Sequence, residues 1–117
     1  MNLYEHTIIA RQDTSPSEIK QLIEKYSKIV EKNEGKIIKT ENWGLINLSH
    51  IIKKNKKGSY IHFKIEGNGK MVIELEKNES IDKKLLRYLT VKVKKFDLET
   101  IYFGQKNDKE KKDNLSN

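Results

Sequence analysis

The sequence of 117 residues predicts an α+β fold in which one four-stranded antiparallel sheet carries two helices on one face. Two segments repeat apolar residues every three or four positions, as amphipathic helices do, and four segments have the composition or alternation of strands. These segments follow one another in the order β-α-β-β-α-β. Because crossover connections are right-handed, this order produces a single sheet with both helices on the same side, the ferredoxin-like sandwich.

The first strand is predicted over Leu3 to Arg11, which is rich in β-branched and aromatic residues. A helix should begin after Ser15, because Ser15 can cap it, Pro16 suits its first turn and Glu18 completes a capping box. Gly35 is the predicted stop of this helix. One apolar stripe at helical spacing should be buried against the sheet: Ile19, Leu22, Ile23, Tyr26, Ile29 and Val30.

A long β-hairpin is predicted next. Lys36 to Ile52 forms its first strand, with a bend or bulge at Gly44, and Ser59 to Glu66 forms its second. Between them lies a predicted five-residue loop, after which Gly58 would give the chain the freedom to reverse. The loop concentrates positive charge at the tip of the hairpin, on Lys53, Lys54, Lys56 and Lys57.

A second helix is predicted over Lys70 to Asn78, and a last strand over Leu85 to Lys94. Residues 1–95 therefore make up one ferredoxin-like domain. Residues 96–103 form an apolar extension that the four-strand plan does not need. Residues 104–117 form a polar tail with too little apolar surface to fold, which predicts disorder.

The charge balance favours an anionic partner. The formal net charge is +7 and the isoelectric point is about 9.5, as is common among proteins that bind nucleic acid. Most of the basic residues are lysines, and the two arginines are Arg11 and Arg87, so bidentate binding of phosphate must be sparse. There is no cysteine, no long apolar run and no signal peptide, from which we expect a cytoplasmic protein without a membrane span.

Motifs for catalysis are hard to find. His6, His50 and His62 all lie on predicted strands without the spacing of metal ligands, and histidines of this kind are more often found at surfaces or edges. Acylphosphatases share the predicted fold and have a Gly-rich loop with an arginine after the first strand, but here Arg11 is followed by Gln12-Asp13-Thr14. We therefore expect no enzyme, no metal and no cofactor.

RNA-recognition motifs have the same order of elements. Their third strand begins with a basic residue and glycine, followed by aromatic rings that stack on bases. The segment Lys57-Gly58-Ser59-Tyr60-Ile61 begins in this way but places Ser59 and Ile61 where those rings belong. Contacts with the phosphates and the shape of folded RNA are therefore expected to dominate over base stacking.

Several segments along residues 1–95 resemble, in order, the bacterial small-subunit ribosomal protein six family. The resemblance is carried by Tyr4-Glu5-His6, Ile9-Ala10-Arg11-Gln12-Asp13, Trp43-Gly44-Leu45, Ile52-Lys53-Lys54-Asn55, Lys57-Gly58-x-Tyr60, Glu74-Leu75-Glu76-Lys77-Asn78 and Leu86-Arg87-Tyr88-Leu89-Thr90-Val91-Lys92-Val93. It implies a structural component of the small ribosomal subunit, bound to small-subunit ribosomal RNA together with ribosomal protein eighteen.

The chain departs from the family pattern on its second strand. Members usually carry Trp/Leu-Gly-x-Arg-x-Leu-Ala-Tyr, where this chain has Ile46 in place of the arginine and Ser49-His50 in place of Ala-Tyr. The resemblance therefore implies no RNA contact through that arginine. We expect the lysines of the hairpin tip to supply a larger share of the contacts with RNA. The acidic tail that is extended with glutamates in some members is also missing, so that modification is not expected.

The predicted phosphate contacts are Lys53, Lys54, Lys56, Lys57, Arg87 and Lys92. Trp43, Tyr60 and Tyr88 are aromatic candidates for the RNA or partner interface, although aromatic residues on strands more often pack in the core or across strands. The resemblance alone adds Tyr4 and Glu5 as candidates for contact with the protein partner.

A regulatory or ligand-binding ferredoxin-like module without RNA is the alternative function, in which the chain would dimerise through a sheet edge. Such a module would need converging polar groups at the helix-strand turns, and the sequence offers no such cluster. The predicted partners are therefore ribosomal RNA and ribosomal protein eighteen, with neither a membrane nor a small-molecule substrate.

Overall fold

The computed structural model describes residues 1–97. The elements are β1 (Asn2–Arg11), α1 (Pro16–Lys32), β2 (Lys36–Ile52), β3 (Asn55–Gly67), α2 (Gly69–Ser80) and β4 (Leu85–Val93). The four strands form one antiparallel sheet in the order β2-β3-β1-β4, so the ferredoxin-like prediction is confirmed. The polar tail, and the apolar extension beyond its first two residues, lie outside the described residues.

Helix α1 begins as its sequence predicts. The Ser15 hydroxyl accepts a hydrogen bond from the Glu18 amide at 3.2 Å, and the Glu18 carboxylate accepts one from the Ser15 amide at 2.9 Å. The apolar stripe faces the core, with Ile23 and Ile29 at its half-buried margins. Its burial against the sheet explains why α1 forms, since packing of one amphipathic face stabilises most helices in proteins.

The end of α1 differs from the prediction at Gly35. The helix stops at Lys32, and the residue with positive φ is Glu34, at 65°. Gly35 is needed for a different reason, because a Cβ atom there would collide with the Met71 sulfur and with Val30. The glycine therefore allows the end of α1 to approach α2 closely, and it does not terminate the helix.

The hairpin turn is also tighter than predicted. Ile52 pairs with Asn55, and only Lys53 and Lys54 lie between them, with φ values of 48° and 68°. Positive φ at both positions is what a type I′ two-residue turn requires. The prediction of a five-residue loop with chain reversal at Gly58 was therefore wrong. Gly58 lies buried within β3, where a Cβ atom would collide with the Ile9 side chain.

Strand β2 is irregular in three places, and the first is a shift of its register against β3 between Ile37 and Lys39. The register shifts again between Asn42 and Gly44, and Gly44 has a φ of 83°, which confirms the predicted bend. A third shift lies near the tip, where residues 48–51 stand opposite Lys56 alone. The extra residues must bulge out of the ladder there, and they lie beside the hairpin tip.

The core lies between the sheet and the two helices. Its apolar members are Tyr4, Ile8, Ala10, Ile19, Leu22, Tyr26, Val30, Ile61, Phe63, Ile65, Met71, Leu75 and Leu85. Along β1 and β3, these residues alternate with residues that point to the opposite side of the sheet. One layer of side chains therefore stabilises the fold, and the other is available for contacts with partners.

A polar network crosses this core at His6, which was expected at a surface or an edge but is fully buried. The Thr90 hydroxyl donates to Glu76 at 2.8 Å. Having used its proton, Thr90 must accept from His6 Nδ1, at 2.6 Å. The other ring nitrogen, Nε2, lies 2.5 Å from the Glu79 carboxyl oxygen Oε2. Burial raises the pKa of Glu79, although the contact with His6 acts in the opposite direction. Because His6 lies on β1 and Glu79 on α2, their contact connects this helix to the centre of the sheet.

Replacing His6 should therefore destabilise the fold strongly. His6→Ala leaves the buried Glu79 without its partner, and breaking a buried pair in this way costs about 3–5 kcal/mol of unfolding free energy. Urea denaturation near neutral pH measures the loss. His50→Ala, at an exposed position, is the matched control and should stay within about 0.5 kcal/mol of the unaltered chain. Equal stability of the two variants would contradict a structural role for the pair.

Candidate functional site

The outer face of the sheet, which we define as the side opposite α1 and α2, carries four of the predicted site residues, Glu5, Trp43, Tyr60 and Arg87. The strand register places Tyr60, Ile9 and Arg87 side by side across β3, β1 and β4. The next outward row joins His62, Thr7 and Leu89, and the row after that joins Lys64, Glu5 and Val91. Side chains from these three strands therefore meet on one surface, because directly opposed residues share a face.

Three rings stack on this face where β2 and β3 meet. The Trp43 ring lies nearly parallel to His62, with 4.8 Å between centroids and 13° between planes, and more loosely over Tyr60 at 6.3 Å and 19°. The indole nitrogen of Trp43 donates to Glu41 at 2.7 Å. Trp43 and Tyr60 thus pack across strands, the arrangement that aromatic residues on strands often adopt, and their rings also shape a surface groove.

The outer groove is a cavity of about 410 Å³ lined by Thr7, Ile9, Trp43, Tyr60, Arg87, Tyr88 and Leu89. A smaller cavity of about 50 Å³ shares Ile9, Tyr60 and Arg87 with it and is otherwise walled by Leu48, Ser49, His50 and Ile52. The two cavities together run from Trp43 to the bulge near the hairpin tip. Four predicted site residues, Trp43, Tyr60, Arg87 and Tyr88, are therefore brought together in the lining of one groove.

The hairpin tip is fastened to the loop between β1 and α1. Asn55 is buried, and its side chain accepts from the Gln12 amide at 3.0 Å and donates to the Lys53 carbonyl at 2.9 Å. The Gln12 side chain in turn accepts from the amides of Lys56 and Lys57, at 3.3 Å each. The backbone that carries the lysines is thus held against the body of the domain, while all four lysines are exposed.

Asn55 and Gln12 were not identified as site residues from the sequence. The sequence did contain a sign of the role of Asn55, because it is the one residue within the run Lys53–Lys57 that is not a lysine. No local pattern connects it to Gln12, which lies 43 positions earlier. This contact depends on the three-dimensional arrangement of β1 and β3, which are neighbours in the sheet.

Three other predicted site residues lie outside the outer groove. Tyr4 is buried in the core on the helix side. Lys92 is exposed on β4 and pairs with Tyr4, so it shares that side of the sheet. Glu5 lies on the outer face, where its carboxylate is 3.5 Å from His62 Nε2 and 4.0 Å from Lys64 Nζ. Glu5 therefore lies close to β3 side chains on the surface that also holds the groove.

Within residues 1–97, no group of three or more His, Cys, Asp and Glu side chains is placed to hold a metal ion. Neither of the two helices described has both the length and the apolar character needed to cross a membrane.

Comparison with known proteins identifies the family. The family model described as Ribosomal protein S6 matches residues 3–92. The chain is 73% identical over 113 residues to small ribosomal subunit protein bS6 of Pelagibacter ubique, covering 97% of this chain and 93% of that protein. It is 43% identical over 99 residues to the bS6 protein of Caulobacter vibrioides, covering 85% and 79% of the two chains.

The structure agrees with these sequence matches. The crystal structure of 30S ribosomal protein S6 from Thermotoga maritima superposes with a TM-score of 0.75 at 28% identity, covering 79% of this chain and 87% of that one. The family resemblance of the sequence is thereby confirmed. The chain belongs to the ribosomal protein S6 family and is accordingly a cytoplasmic, ribosome-associated protein of the small subunit, with a structural and not an enzymatic role.

Proposed function

We propose that the chain binds small-subunit ribosomal RNA through the hairpin tip and binds ribosomal protein eighteen through the outer groove. The observation that carries the proposal is the fixed position of the four exposed hairpin lysines close to an apolar groove with one arginine. Membership of a ribosomal family supports both partners in general terms. It argues against the alternative of a ligand-binding module without RNA.

The hairpin tip has the properties of a phosphate-binding surface. Lysine acts towards phosphate as a point charge, and neutralising phosphates releases their condensed counterions. The two-residue turn and the contacts of Asn55 and Gln12 hold the lysine backbone in place before binding. Less backbone freedom therefore has to be lost when RNA binds, which favours affinity.

The outer groove has the properties of a protein interface. Its lining is mainly aromatic and aliphatic, and Leu89 in its wall is 62% exposed. Contiguous apolar surface of this kind marks sites of protein interaction. Tyrosine, tryptophan and arginine are also the residues that most often dominate the binding energy of protein interfaces. We therefore assign Trp43, Tyr60, Tyr88 and Arg87 to the partner protein.

The lysine assignment predicts a change in salt dependence. Replacing Lys53, Lys54, Lys56 and Lys57 together by Gln should weaken RNA binding. It should also reduce the slope of log affinity against log salt by up to about 0.9 per lost phosphate contact. Affinity is measured at several salt concentrations with the partner protein present, because the proposed complex contains both.

A control variant carries the same change of charge elsewhere. Lys20, Lys28, Lys32 and Lys77 are exposed lysines on the two helices, and their replacement by Gln should leave the salt slope nearly unchanged. If both quadruple variants lose affinity and slope equally, only the net charge matters. The hairpin tip would then have no specific role.

The groove assignment predicts an effect on partner binding alone. Leu89→Glu places a charge in the groove wall and should weaken binding of ribosomal protein eighteen by about ten-fold or more, equivalent to about 1.4 kcal/mol. The affinity of the variant for ribosomal protein eighteen is measured by titration calorimetry in the absence of RNA. Ile81→Glu is the matched control, since Ile81 is 77% exposed just beyond α2. Similar affinities of the two variants would place the partner elsewhere.

A further inference from the structure

The buried network between α2 and the sheet has a defined direction of hydrogen bonding. Glu76, at its half-buried end, accepts the Thr90 proton, and Thr90 accepts from His6 Nδ1. His6 must therefore carry a hydrogen on Nδ1. Its other ring nitrogen, Nε2, lies 2.5 Å from Glu79 Oε2, and neither of these two side chains has exposed surface. A contact at this distance requires one proton between the two atoms, because two lone pairs would repel each other.

The proton shared by His6 and Glu79 has two places to lie. On Nε2 it makes an imidazolium beside a carboxylate, and on Oε2 it makes a neutral acid beside a neutral imidazole. The second Glu79 oxygen, Oε1, distinguishes these forms, because it is buried and no group within residues 1–97 donates a hydrogen bond to it. A carboxylate carries its charge on both oxygens and needs donors at both. The carbonyl oxygen of a neutral acid loses less when it has none.

The groups around Glu79 also favour its neutral form. Burial is the largest effect and raises the pKa of this carboxyl, although the contact with His6 lowers it. Glu76, on the same helix, and Asp82, just after it, raise the pKa further through their negative charge. Tyr26 on α1 lies close enough to interact electrostatically with Glu79, but its hydroxyl donates to Asp82 at 2.5 Å. The phenol therefore gives its proton to a different carboxylate.

We propose that Glu79 is a neutral carboxylic acid near pH 7 and donates its proton to His6 Nε2, so that the packing of α2 on the sheet depends on one buried proton. The contact joins three elements through Thr90, because His6 lies on β1, Thr90 on β4 and Glu79 on α2. Loss of the proton would leave a carboxylate in the core beside a lone pair of the imidazole. The attachment of α2 should therefore weaken as the pH rises.

The sign of the pH dependence follows from the protons bound by the folded and unfolded chains. Ordinary Glu and His side chains have pKa values of about 4.3 and 6.5, so the unfolded chain has lost both titratable protons between pH 7 and 8. The folded chain keeps one on Glu79, whose pKa is raised. The stabilisation from this proton is fully present below about pH 4.3 and is lost as the pH rises through the folded pKa of Glu79.

Glu79→Gln tests the dependence on the proton, because an amide has the shape of the acid and donates a hydrogen bond without a titratable group. The unfolding equilibrium constants of this variant and of the unaltered chain are measured by urea denaturation at pH 7 and pH 8. The constant of the unaltered chain, divided by that of the variant, should rise about ten-fold between the two pH values. Glu24→Gln, at an exposed position on α1, is the matched control, and its ratio should stay constant.

The position of the proton is measured by NMR on the His6 ring of the unaltered chain, so this test does not require the variant to fold. At pH 7 the nitrogen-15 chemical shifts of Nδ1 and Nε2 should differ widely, as in a neutral imidazole with its hydrogen on Nδ1. In an imidazolium both nitrogens carry a hydrogen, and the two shifts would be similar.

Two results would overturn the proposal. Similar shifts of the two His6 nitrogens at pH 7 would place the proton on the imidazole and make the contact with Glu79 an ion pair. A Glu79→Gln ratio that is the same at pH 7 and pH 8 would show that folding takes up no proton at this pair. Both measurements use the chain without RNA or partner protein, so neither depends on the proposed function.

Discussion

The antiparallel pairing of β1 with β3 is the constraint on which the rest of this structure depends. The two strands form the middle of the sheet, and their register runs without a shift from Asn2 opposite Gly67 to Arg11 opposite Gly58. Because side chains alternate, a slip of either strand by one residue would exchange its two faces. Phe63 would then face away from the helices, and Lys64 would enter the core. The same register therefore determines both the core and the surface offered to partners.

Glycine and short polar contacts keep the functional end of this pair in place. Gly58 lets β3 and β1 approach at the base of the hairpin, because the Ile9 side chain occupies the space where a Cβ atom would lie. Asn55 and Gln12 then tie the tip to the loop after β1. An arm with four positive charges would otherwise move independently of the groove. The contacts make the tip and the groove parts of one rigid surface.

Much of the fold could be predicted because its signals are local. The capping box at Ser15, the stripe along α1 and the bend at Gly44 each depend on residues close together in the chain. The turn at Lys53 and Lys54 was missed because two-residue turns are usually marked by Asn-Gly or Asp-Gly, and two lysines carry no such signal. Gly58, a more familiar turn residue, was assigned the role in their place.

The site was harder to predict because its contacts join distant parts of the chain. His6 meets Glu79 across 73 positions, and Thr7 meets His62 across 55. The alternation of Tyr60, His62 and Lys64 with apolar residues predicted an outward face, and this face is present. Alternation cannot show that two of those residues are buried there. Burial depends on what lies above the sheet, and the strand pattern contains no information about it.

The central claim is that the hairpin tip and the outer face, and not the helices, contact the rest of the small subunit. Lysine acetylation of the chain within assembled small subunits, compared with the free protein, tests this most directly. The account predicts strong protection of Lys53, Lys54, Lys56 and Lys57 on assembly, with little change at Lys20, Lys28 and Lys77 on the helices. Protection of the helix lysines, with the hairpin lysines still reactive, would contradict it.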